Sequence, residues 1–126
     1  MSYRTDRQRV AGLGSAKDGV HHFWTQRITA VALLPLVLLF VFPFARSLGS
    51  DYQTVVATYS NPFNAIVAIL FILVAFRHLQ LGLQVIIEDY VSSKPARTAA
   101  LIANVLLSWA FALAGVFAVA KIAFTA

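Results

Sequence analysis

The sequence predicts an all-α membrane protein of three transmembrane helices. Two observations carry that prediction. Hydrophobic residues make up 60% of the 126 residues and charged ones only 12%, against about 25% charged in an ordinary soluble domain. The apolar residues are also gathered into three runs, each near the ~20 residues that cross ~30 Å of hydrocarbon. Backbone groups in lipid must pair within their own segment, so such runs are helices.

Residues 1–27 read as a polar N-terminal arm. It holds five of the ten basic residues, Arg4, Arg7, Arg9, Lys17 and Arg27. The first span is placed at 28–48. Its core, "ITAVALLPLVLLFVFPFA" from Ile28 to Ala45, has no charge. Pro35 inside it removes one helical hydrogen bond and can kink the helix. Asn61-Pro62 then sets a capping residue before a proline, the arrangement that favours a helix start. The second span follows at 63–88, and Arg77 is the only charge between Phe63 and Ile87. Ser93-Lys94-Pro95 repeats the start signal ahead of the third span, 98–122. That span is uncharged from Ala99 to Ala120.

Basic residues predict the orientation. The arm and the loop carrying Lys94 and Arg97 belong on the cytoplasmic side. The loop with Arg46 and Asp51 lies opposite, with the C-terminus. An inner (cytoplasmic) membrane is the expected location; in a mitochondrion the basic side would be the matrix side. The chain does not open on a short apolar run, so no cleaved secretory peptide is expected. The absence of cysteine excludes disulfides, thiolate metal sites and cysteine nucleophiles. The basic arm adjoins a membrane segment, which makes membrane lipid its natural surface and disfavours nucleic acid. No nucleophile–base pair, phosphate loop or hydrolytic carboxylate pair is present. The chain therefore reads as one subunit of a larger assembly that performs no catalysis alone.

The stretch "FRHLQLGLQVIIEDYV", Phe76 to Val91, carries the functional signal. An ionisable residue inside a span is a functional-site hypothesis. His78 lies ten residues before Glu88, about 15 Å along the helix. That is near mid-bilayer, at a depth where a haem iron could sit between helices; the alternative is a neutral histidine bonding helix to helix. Gly82, Val85 and Asp89 share the face of His78 at about 100° per residue. Gly82 admits either a flat macrocycle or a close helix neighbour. His21 and His22 lie outside the spans, so a second axial ligand would come from another chain. At the helix end, Tyr90 suits either an interfacial aromatic belt or donation to a quinone carbonyl, with Asp89 orienting it or relaying protons.

The pattern H-x3-G-x-Q-V-x3-D-Y, here His78, Gly82, Gln84, Val85, Asp89 and Tyr90, resembles the second span of the small hydrophobic anchor subunit of succinate dehydrogenase, respiratory complex II, of the cytochrome b type. "DGVHHFWTQRITA", Asp18 to Ala30, looks like that subunit's entry to its first span. The resemblance implies half of a two-subunit helical bundle that holds one haem b. His78 would be the axial ligand to the haem iron, with the larger cytochrome b-type anchor supplying the other histidine. Arg27 and His21 would lie by the haem propionates, with His22 adjacent to them. Tyr90 and Asp89 would bind ubiquinone. An iron-sulfur subunit and a flavoprotein would complete the assembly. Arg77 departs from the familiar motif, which is apolar there. It calls for a partner: a propionate, an acidic group on another subunit, or the interface reached by snorkelling. Two rivals are a fumarate reductase anchor using menaquinone and a haem-free transporter or assembly scaffold.

Overall fold

The computed structural model describes residues 3, 5–11 and 18–125. Arg4 and Lys17 of the basic arm lie outside the described residues. Five helices follow in order: α1 (Asp6–Ala11), α2 (Asp18–Ser47), α3 (Tyr52–Ser60), α4 (Pro62–Tyr90) and α5 (Lys94–Thr125). Strands are absent among the described residues. Helices α2, α4 and α5 are long and apolar enough to cross a membrane, so the chain is a multi-pass membrane protein. At 1.5 Å per residue each is about 45 Å long, which exceeds the hydrocarbon layer and leaves polar ends on both sides.

Each long helix outruns its apolar core. Helix α2 starts at Asp18, inside the segment read as an arm. Its threonine hydroxyls bond back to carbonyls one turn earlier: Thr25 to His21 and Thr29 to Thr25, both at 2.8 Å. Such bonds satisfy the hydroxyl within the helix itself. Helix α4 begins at Asn61-Pro62 as its sequence suggests. Asn61 Oδ1 accepts from the N–H groups of Phe63 (2.9 Å) and Asn64 (3.4 Å), and Pro62 occupies the first turn. Ahead of α5, the Ser93 carbonyl takes the Arg97 N–H at 2.8 Å.

The loop between the first two spans contains a helix of its own. The chain turns at Gly49, whose φ of 78° is a left-handed conformation open to glycine. Asp51 then caps α3 by accepting the Thr54 N–H at 3.0 Å. Thr54, through its side chain first and its backbone second, holds the exposed Asp51 carboxyl below the usual carboxylate range. Tyr59 is buried, which pushes its phenol upward.

The three long helices form one row with α4 in the middle. Helices α2 and α5 make no contact with each other among the described residues. Helix α2 runs antiparallel to α4: Gly19 and His22 face Gln84 to Glu88 at one end, and Phe40 stacks on Phe71 at 4.4 Å further along. On the other side of α4, Asn104 Nδ2 donates to the Gln80 carbonyl at 2.9 Å, and Ser108 donates to Asn104 at 3.4 Å. Phe76 stacks on Phe111. A row leaves both its faces bare. Leu34, Leu106 and Phe117 are all more than 60% exposed, so these faces need an apolar surrounding such as lipid to cover them.

Helices α4 and α5 approach closely at Gly115. A Cβ there would stand 3.3 Å from two carbons of Ile72. Gly115→Val should push these helices apart and cost about 1–3 kcal/mol, as overpacking does. Thermal unfolding of the purified membrane assembly would read this, and an unchanged midpoint would show that the helix spacing is not set there.

Candidate functional site

His78 and Arg77 are neighbours in sequence but serve different interfaces. His78, half-buried on α4, turns to α2, where its Nδ1 lies 3.0 Å from Thr29 Oγ1. Its Nε2 has no hydrogen-bond partner among the described residues. Arg77 turns to α5. Its Nη1 donates to Gln80 Oε1 at 2.9 Å, one turn along the same helix, and it borders a small cleft with Ser108 and Trp109. The single acceptor given to Arg77 is thus a neutral amide within its own chain, beside the Asn104–Ser108 pair that ties α4 to α5.

One face of α2 carries polar groups toward α4. His22, Gln26 and Thr29 follow one another at helical spacing. His22 borders an open groove of about 290 Å³ with Gly19, Gln84, Val85 and Glu88. Its Nε2 and the Gln26 Oε1 are buried and without hydrogen bonds. Gln26 lies over Gly82: a Cβ at Gly82 would be 3.7 Å from Gln26 Nε2 and meet nothing closer. That is ordinary contact, so packing within this chain does not require glycine at 82. Gly115 is the position where packing does.

His21 and Arg27 are exposed. The Arg27 guanidinium sits 5.1 Å above the centre of the Phe23 ring, a cation–π contact that fits the membrane interface. Neither side chain converges with His78 inside this chain. Asp89 and Tyr90 are exposed at the last turn of α4, and Tyr90 is 82% accessible. From His78 to Tyr90 the helix advances about 18 Å. The Gln84 amide reaches back to Glu88 at 2.9 Å. Arg97 donates to the Val91 carbonyl at 2.8 Å and ties the start of α5 to the exit of α4.

No cluster of three metal-ligating side chains exists among the described residues. The donor chemistry of His78 nonetheless fits a haem. It is an imidazole donor at mid-span, with Nδ1 beside Thr29 and Nε2 unengaged among the described residues. Gly82 one turn away lacks a side chain without being forced to by its neighbours. Thr29 and Gln26 are the residues that sequence reading left without a role. Thr29 stands in the quoted entry stretch, but only folding brings it across 49 positions to His78.

Comparison with known proteins bears on the same residues. The family of succinate dehydrogenase/fumarate reductase transmembrane subunits matches residues 1–119. The chain belongs to that family. The succinate dehydrogenase hydrophobic membrane anchor subunit of Paracoccus denitrificans is 37% identical over 121 residues, covering 96% of this chain and 93% of that protein. The corresponding subunit of Rickettsia bellii is 33% identical over 106 residues, covering 84% and 85%. The membrane anchor subunit of Reclinomonas americana is 32% identical over 84 residues, covering 64% and 70%. No solved structure is a significant match. The small hydrophobic anchor resembled by the His78–Tyr90 motif is therefore the kind of family member these relatives represent.

Proposed function

We propose that this membrane anchor holds haem b and part of the ubiquinone-reducing site of a succinate:ubiquinone oxidoreductase. The observation that carries the haem assignment is His78, with Nδ1 braced by Thr29 and Nε2 without a partner among the described residues. In this reading Nε2 would hold the haem iron, and the larger anchor subunit would supply a second histidine. Bound there, haem b supplies a one-electron carrier with no open coordination position. The bare α2–α4 face accommodates the partner helices. Arg27 and His21 lie toward the propionates, where a guanidinium pairs well with carboxylates. His22, whose Nε2 is buried and unbonded, is placed to reinforce them.

Tyr90 and Asp89 stand at the interface. The phenol donates to a quinone carbonyl, and the carboxylate passes protons from water as two electrons and two protons convert quinone to quinol. The electrons originate from succinate in a flavoprotein and pass through an iron-sulfur subunit, both docked on the cytoplasmic side. Antiparallel packing supports that orientation. It brings Arg27, Lys94 and Arg97 to the end of the bundle that carries Tyr90, while Arg46 and Lys121 lie at the other end. The chain thus sits in the inner (cytoplasmic) membrane with its N-terminus inside.

The test is the reduced-minus-oxidised optical spectrum of the purified complex, with extraction of its quinone. A b-type haem and ubiquinone are expected. Menaquinone would favour the fumarate reductase branch of the family, and the absence of haem would overturn the axial-ligand role. Arg27→Ala should weaken haem retention or shift its midpoint potential. Normal values for both would restrict Arg27 to its interfacial contact with Phe23.

A further inference from the structure

We infer that Thr29 is a positioning residue that sets the tautomer of His78, an inference that rests on the axial-ligand role proposed above. A threonine hydroxyl has one hydrogen to give and two lone pairs to receive. The Thr29 hydroxyl lies 2.8 Å from the Thr25 carbonyl and 3.0 Å from the Gln26 carbonyl. Carbonyl oxygens only accept, so the single hydroxyl hydrogen is committed to the backbone of α2, shared between the two. The remaining short contact, 3.0 Å to His78 Nδ1, then needs its hydrogen from the ring. His78 therefore carries its proton on Nδ1 and donates to Thr29.

The chemical consequence lies at the far side of the imidazole. A neutral ring protonated on Nδ1 has its lone pair on Nε2, and Nε2 is the atom left without a partner among the described residues. The opposite tautomer would put a hydrogen where the iron must bind. Thr29 also limits the swing of the ring about its own axis. Its side chain is β-branched and stiff at χ1, and its hydroxyl is tied twice to α2. The acceptor thus points at His78 from a fixed place on the neighbouring helix. An acceptor on the non-ligating nitrogen of a metal-bound histidine also raises the basicity of the ligand. A more basic ligand favours ferric over ferrous iron and lowers the midpoint potential.

The experiment uses the intact purified complex with Thr29→Val and Thr29→Ser, beside His78→Ala. Valine keeps the branched shape and the helix while removing the hydroxyl; serine keeps the hydroxyl. In Thr29→Val, haem retention should fall by roughly tenfold or more, as loss of such supporting partners commonly does. The midpoint potential of the remaining haem should rise, and its low-spin ferric EPR signal should shift. Thr29→Ser should restore potential and signal toward those of the native complex. A native potential and EPR signal in Thr29→Val would overturn the inference, while loss of haem in His78→Ala would leave the axial-ligand role standing. Equal changes in the valine and serine variants would also overturn it, because they would assign Thr29 to packing. A native complex without haem would overturn both readings.

Discussion

In the purified complex, His78→Ala is expected to abolish the b-type haem signal of the reduced-minus-oxidised spectrum. The expected size is near-complete loss, because on the proposed reading His78 would be one of the two protein ligands that hold the haem. Alanine is the strongest helix former, and His78 is only half-buried. The variant should therefore keep α4 in place and remain in the membrane, which immunodetection of the assembled subunits can verify. An unchanged spectrum would move the ligand to another residue. Loss of the whole complex from the membrane would show that His78 acts first in assembly, and succinate-dependent dye reduction by the released soluble subunits would distinguish that result. A haem-free native complex would leave His78 as a hydrogen-bonding contact between α2 and α4.

Tyr90→Phe is expected to lower succinate–quinone reductase turnover by roughly 10- to 100-fold while leaving the haem spectrum intact. The phenol projects from the last turn of α4 and is 82% exposed, so removing its oxygen disturbs no packing within the chain. What would be lost, on the proposed reading, is donation to the quinone carbonyl. A hydrogen bond of this kind is worth about 1–3 kcal/mol once charge develops on the acceptor, and each 1.36 kcal/mol is tenfold in rate. The flavin and iron-sulfur steps should continue at native rates with an artificial acceptor. Native turnover with ubiquinone would return Tyr90 to the interfacial aromatic belt.

Much of the fold is legible in the sequence because lipid imposes a simple rule. A charge-poor run of sufficient length must be a helix, and Asn61-Pro62 and Ser93-Lys94-Pro95 mark where two of the helices begin. The helix in the first loop is not legible in that way. Tyr52–Ser60 is short and of mixed polarity; its cap at Asp51 is local, but the burial of Tyr59 arises only from packing against the other helices. The early start of α2 escapes for a related reason. Hydropathy marks the hydrocarbon core, whereas the helix continues as far as its backbone hydrogen bonds sustain it.

Composition, run length and the spacing from His78 to Tyr90 by themselves determined a three-span membrane protein, its family resemblance and its candidate ligands. These are properties of one segment at a time, governed by transfer to lipid and by the helical repeat. Tertiary structure alone decided that Arg77 and His78 part company, one toward Gln80 beside α5 and the other toward Thr29 on α2. It also decided that His22, rather than His21, turns its ring toward α4, and that Gly115 rather than Gly82 is the glycine required by close packing within the chain. The physical reason is that a helix face is defined only by what lies against it. Residues one position apart on α4 point about 100° apart, and which neighbour each one meets depends on the antiparallel placement of α2 and α5 on either side.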